Sequence, residues 1–320
     1  MALKEAVLTL ARSTGLSAAA RKATAGQLRI LCYHGLWVTP GYQFGTRTFM
    51  PPEQFEEHMK VLKRSGQPVL PLGEAVDRLE DGTLPPAAVA ITIDDAWVST
   101  FTHMLPVLEA LELPSTLYAT TWYAGRALPV VNVAVAYLRE ASARLDVDQA
   151  AKIAEIEALP LDERLEALRA FGGALGVDEA WLELRQFNIM SADELAEAQR
   201  RGMDVQLHTH RHIELEERVD SLAEELAENR AFIRAATGER PLIHFCYPSG
   251  SYHPSAPAVL AANGVRSATL VDHGLNAPGT DPLKLRRFLD GRSVTNSEFD
   301  AYLSGILHYA DNLRGRRPYR

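Results

Sequence analysis

The chain has 320 residues, 47% of them hydrophobic, 23% charged and 8% aromatic, a composition that excludes a disordered chain, a collagen and a disulfide scaffold. Its 33 Lys+Arg against 41 Asp+Glu leave a formal charge of −8, which argues against a general nucleic-acid binder because such proteins present a basic surface. The only two cysteines, Cys32 and Cys246, lie in apolar runs and read as core thiols of a reducing compartment.

Residues 3–25 have helical spacing and are locally basic, with Lys4, Arg12, Arg21 and Lys22 against Glu5. They predict an N-terminal amphipathic helix (1–27), docked on the domain or in peripheral contact with a membrane surface. AVLTLA is followed at once by Arg12 and no run suits a spanning helix, so the expected location is cytoplasmic, at the inner membrane surface if that helix binds lipid. LRILCYH (28–34) reads as a buried strand, and Phe55, Met59 and Leu62 mark one helix face. PVL (68–70) reads as a short strand, with a helix from Gly73 to Leu79. AVAITID (88–94) is a strand ending in two aspartates, Met104, Leu108 and Leu111 stripe a helix, and STLYAT (115–120) is the next strand.

Residues 139–187 contain no convincing strand and carry six basic against eleven acidic residues, so 125–190 is expected to be a helical insertion or lid. A capping box at Ser191 and Glu194 opens a helix before the strand MDVQLH (203–208). LIHFCYP (242–248) and RSATLV (266–271) follow, then a C-terminal helix and basic tail over 291–320. Buried strands separated by helices predict parallel βαβ units, an α/β fold spanning 28–290.

The chemistry-bearing residues fall at strand ends: His34, Asp94–Asp95, His208 to His212, and Tyr247–Pro248–Ser249–Gly250. In a parallel barrel or sheet these ends share one face, where active sites form. Adjacent carboxylates could simply cap a helix. Alternatively, at a strand end where the backbone turns, one could hold a metal while the other stays free as a base. His208 and His212, one helical turn apart, would face the same way and bind one ion with an Asp, leaving positions on Zn²⁺ for water and substrate. His210 is ambiguous, since H-x-H with His208 could bind metal instead.

These motifs resemble the polysaccharide deacetylase family, carbohydrate esterases with a NodB-type domain: Thr92-Ile93-Asp94-Asp95-Ala96, His208-Thr209-His210-Arg211-His212 and Tyr247-Pro248-Ser249-Gly250, in that order. Tyr33-His34 is similar to the subset with an N-terminal histidine, such as poly-N-acetylglucosamine de-N-acetylases. The likeness runs from about Leu28 to Phe288. It implies a distorted (β/α) barrel of about seven strands and one divalent metal ion, usually Zn²⁺. It further implies Asp95, His208 and His212 as ligands, Asp94 as base, His34 as general acid and the Ser249 N–H at the oxyanion.

Ala96 stands where the family has Gly, so its turn either has negative φ or is strained. The family's third-motif arginine is missing, and Arg287 (or Arg286) could steady Asp94 in its place. His273 rivals His34 as acid. Tyr247, Pro248 and Trp97 are expected substrate contacts, while Trp122 and Trp181 could stack on sugar or be core. The expected activity is metal-dependent removal of an N-acetyl group from an amino sugar in a glycan or lipid-linked saccharide. The alternatives are an O-deacetylase or deformylase, an amidohydrolase-like enzyme using His208 and His210, and an inactive glycan-binding protein.

Overall fold

Apart from Arg29 and Ser115 at their starts, apolar and β-branched residues fill the runs at 29–33, 89–93 and 115–119, as suits strands buried on both faces. The computed structural model describes Leu8, residues 13–45 and residues 48–308. β1 (Arg29–Tyr33) is followed by the short parallel pair β2 (Gly35–Leu36) and β3 (Phe49–Met50), set beside the main sheet. That sheet continues with β4 (Val89–Ile93), β5 (Ser115–Ala119), β6 (Met203–Leu207), β7 (His244–Cys246), β8 (Ser267–His273) and β9 (Leu285–Leu289), and it closes as a parallel barrel β1-β4-β5-β6-β7-β8-β9. The expected barrel of about seven strands is the one found.

β9 was not anticipated. Its sequence, LRRFL, carries two arginines where a strand run is normally apolar, and Arg287 is fully buried inside the barrel. The run 68–70 supplies only an isolated bridge, Val69 to Val89, rather than a strand.

Pairing is uneven around the barrel. β1 and β4 align over five residues, as do β5 and β6, whereas β6 and β7 share one pair (Leu207 with Phe245) and β1 and β9 two. At the thin β6–β7 junction the Gln206 Oε1 accepts the N–H groups of Ile243 (2.9 Å) and His244 (3.0 Å). Helix Leu72–Glu80 packs Leu72, Ala75, Val76 and Leu79 against Leu28, Ile30, Ala90 and Leu285, at the N-terminal ends of β1, β4 and β9. The opposite ends are left for the polar residues.

Phe55, Met59 and Leu62 are buried on helix Pro52–Arg64, and the Ser191–Glu194 capping box opens helix Ala192–Arg200. Between β5 and β6 run helices Val131–Ala141, Gln149–Glu157, Arg164–Ala174 and Ala180–Glu183. An aromatic cluster of Trp37, Tyr137, Trp181 and Phe187 docks them on the barrel, which makes Trp181 a core residue.

Helix Leu16–Ala23 buries Ser17 and Ala20. The rest of the expected N-terminal helix, residues 1–7 and 9–12, and the tail from 309 lie outside the described residues. Among the described residues no helix is long and apolar enough to cross a membrane.

Candidate active site

The loop after β4 brings both carboxylates to one place. Asp94 continues the strand, its N–H donating to the Tyr33 carbonyl at 2.8 Å. Asp95 and Ala96 then both adopt left-handed backbone, each with φ 69°, a conformation that costs an L-residue about 1–2 kcal/mol. Of the two possibilities for Ala96, the strained one is realised. Hydrogen bonds from Met190 N–H to the Ala96 carbonyl (2.8 Å) and from Val98 N–H to Asn188 (2.9 Å) hold the turn in place.

Asp94 is buried and bound bidentately by Arg287, with both N–O distances 2.7 Å, the strong fork geometry of a guanidinium on a carboxylate. Burial alone would push the carboxyl pKa up; Arg287 overrides it and holds Asp94 at about 2. Exposed Arg286 has no such contact with it, so the geometry selects Arg287. The free thiols of Cys32 (3.6 Å) and Cys246 (3.3 Å) donate to the same Oδ2. His34 Nε2 stands 3.7 Å from it.

Asp95 faces the other way. Its Oδ1 lies 3.2 Å from His208 Nε2 and 3.4 Å from His212 Nε2, while its Oδ2 accepts the Trp97 indole N–H at 2.8 Å. Burial raises the Asp95 pKa, and the two imidazoles more than reverse that, holding it well below the carboxylate range. His208 Nδ1 donates to the Cys246 carbonyl at 2.9 Å. Because a carbonyl only accepts, that bond places a proton on Nδ1. Against burial, Asp95 favours a second proton on Nε2 and raises the His208 pKa. Loss of that Nε2 proton would free a lone pair for a metal, as metal-binding histidines require.

The two histidines do not meet through a helical turn, as their spacing suggested. Thr209 (φ 59°) and His212 (φ 55°) are left-handed, and the loop folds back on itself. Asn229 Oδ1 accepts the His208 N–H (3.0 Å), and buried Glu225 accepts the Arg211 N–H (2.7 Å). His210 points away, its Nδ1 2.8 Å from Thr121 Oγ1. Among the described residues, Asp95, His208 and His212 gather their donor atoms closely enough to hold one metal ion, and His210 joins no such cluster. This geometry removes the feature on which an amidohydrolase-like reading rested.

Residues 81–268 match the family described as polysaccharide deacetylase. The chain belongs to that family. No curated protein matches it. Among solved structures it is similar to the Streptococcus pyogenes deacetylase PplD in complex with acetate, at 16% identity and TM-score 0.60, covering 89% of this chain and 98% of that one. IcaB from Ammonifex degensii gives 20% identity and TM-score 0.59 over 87% and 96% of the two chains. The de-N-acetylase from Aggregatibacter actinomycetemcomitans gives 14% and 0.58 over 86% and 99%. At these identities the likeness is one of fold.

In this polysaccharide deacetylase the barrel mouth opens into a cleft of about 880 Å³ lined by His34, Asp94, Asp95, Trp97, His208, His212 and Ser249, with the 120–133 segment as a further wall. Next to His34, a Cβ on Gly35 would come within 2.6 Å of the Phe49 ring, so a larger residue there would push β2 and β3 apart. Ser249 (φ 53°) and Gly250 (φ 72°) form a second left-handed pair at the rim.

Tyr247 and Pro248 are not brought into the cleft lining: Tyr247 is buried and its hydroxyl donates to the Leu283 carbonyl at 3.0 Å. His273 packs instead against Phe288 and Tyr302. Asn229 and the Cys246 carbonyl, which orient His208, were missed. A backbone carbonyl carries no sequence signal, and one asparagine inside helix Leu222–Thr237 reads as a surface residue.

Proposed function

We propose that this chain is a metal-dependent hydrolase that removes an N-acetyl group from an amino sugar in a glycan or lipid-linked saccharide. The observation that carries the reading is the division of labour between two adjacent carboxylates: Asp95 joins two imidazoles, while Asp94 is locked as an anion by Arg287. Two nitrogens and one carboxylate oxygen, with the His208 tautomer fixed from behind, fit a divalent ion such as Zn²⁺ and leave positions for small ligands. When bound, such an ion lowers the pKa of a coordinated water toward about 7 and polarises a carbonyl.

The chain's own residues account for the proton traffic. Asp94, held at about 2, stays ionised at neutral pH and would orient the attacking water; weak as it is as a base, it could take up the proton only of a water already acidified by a bound metal. An amine leaves poorly unless protonated, and His34, 3.7 Å from Asp94, would donate to the departing nitrogen. The Ser249 N–H, at the rim of the same cleft, would stabilise the developing oxyanion. Water and the N-acetyl sugar become acetate and the free amine.

The test is acetate release from N-acetylated and O-acetylated saccharides by zinc-loaded protein, beside metal content in an Asp95→Ala, His208→Ala variant. Acetate from the N-acetyl substrate, and metal lost in the variant, are expected. Zinc-loaded protein that releases no acetate from any of them would refute the reading.

A further inference from the structure

Three of the four tryptophans are buried, Trp37 and Trp97 at 4% exposure and Trp181 at 1%. Trp122 is only half-buried and lines the cleft, with Tyr123 edge-on at 4.6 Å between ring centres. The Arg126 guanidinium lies over the indole, 4.5 Å from its centre. Arg126 lines a neighbouring hollow, whereas Trp122 itself lines the cleft beside His34, Asp94, His208 and His212. That cation–π contact stiffens the ring, which reduces the ordering cost of any ligand that stacks on it.

The indole is also tied to the loop that carries His208 and His212. The His210 carbonyl accepts the N–H of Thr121 (3.1 Å) and of Trp122 (2.8 Å) as well as Thr120 Oγ1 (3.0 Å). His210 lies midway between the two site histidines, so its contacts set where Trp122 stands relative to them. We propose that Trp122 is a stacking platform for a sugar ring of the saccharide substrate. This rests on the deacetylase reading. A cleft of 880 Å³ lies in the upper part of the ~300–1,000 Å³ range of ligand sites, and a pyranose offers an apolar C–H face that suits an indole.

The probe is a trimer of N-acetylglucosamine. In metal-free protein it should shield tryptophan fluorescence from acrylamide, and the shielding should vanish in Trp122→Ala. In zinc-loaded Trp122→Ala, KM for the trimer should rise about tenfold while kcat changes by less than about threefold, the pattern of lost uniform binding. Trp122→Phe should restore most of the KM. An unchanged KM in Trp122→Ala, or a trimer that is turned over yet shields no tryptophan in the parent, overturns the platform and leaves the deacetylase reading standing. Should Trp122→Ala not fold, the parent's shielding and the Trp122→Phe kinetics decide. No acetate from the zinc-loaded parent removes the reading and the platform together.

Discussion

Replacing Arg287 with methionine keeps the bulk of the side chain and deletes the charge that faces Asp94 from 2.7 Å away. Both side chains are almost wholly shielded from water, at 0% and 3% exposure, so solvent cannot compensate. Asp94 titrates at about 2 instead of 3.8, a difference of about 2 kcal/mol in favour of the charged form. Arg287 supplies more than that net figure, because burial works against it. Losing one partner of such a buried pair costs about 3–5 kcal/mol.

The sign with pH follows. In the parent, the Asp94 contribution is complete above its unfolded pKa near 4 and disappears as pH falls toward 2. In Arg287→Met the carboxyl has burial without its cation, its pKa rises above the usual value, and the variant is penalised once the carboxyl must ionise. Urea unfolding at pH 7 should therefore show a loss of about 3–5 kcal/mol, shrinking toward pH 3. The acid limb of kcat/KM for acetate release should move to higher pH. Equal losses at pH 7 and pH 3 would refute the argument that Arg287 acts on the Asp94 charge.

Asn229→Ala removes the acceptor for the His208 N–H and two donations, to the Ala119 carbonyl and Thr121 Oγ1, all at 2.9–3.0 Å. Chelator competition should show metal affinity falling about 10–100-fold, with unfolding free energy lower by about 1–3 kcal/mol. His34→Gln should retain full metal content by elemental analysis and lose about 10²–10⁴ in acetate release; a smaller loss would assign the acid role elsewhere. Ala96→Gly should change stability by less than about 1 kcal/mol. Relief of left-handed strain, about 1–2 kcal/mol, is offset by a lost buried methyl and by glycine's added chain entropy.

The strands that could be read from the sequence are mostly apolar on both faces, such as VAITI and STLYA, or alternate regularly, as MDVQL does. β9 escaped because its inward residue is an arginine, and an arginine is compatible with that position only once Asp94 is known to stand opposite it. The converging strand ends were legible, since the fold class places them on one face. The backbone that aims them was not: three pairs or near-pairs of left-handed residues, at 95–96, 209 and 212, and 249–250, include only one glycine. His210 was ambiguous for a related reason. Spacing shows which histidines are near one another along the chain, but not which imidazole the loop turns outward.

The uneven pairing around the barrel gives the polar residues a second duty. Where β6 and β7 share a single residue pair, the imidazole of His208 reaches across to the Cys246 carbonyl and acts as a rivet. Near the sparse β1–β9 junction, Arg287 on β9 spans the interior to Asp94 at the end of β4. Active-site side chains commonly cost a fold stability, yet here the same groups lace the thinnest junction, β6–β7, and tie β9 across the interior to the end of β4. A change that abolishes catalysis at Asp94, Arg287 or His208 should therefore also unseal the cylinder locally, with faster hydrogen exchange in β7 and β9 ahead of β5. In this protein, inactive variants of those three residues should be soft at the joints, and a loss of activity at them must be read beside a measurement of barrel closure.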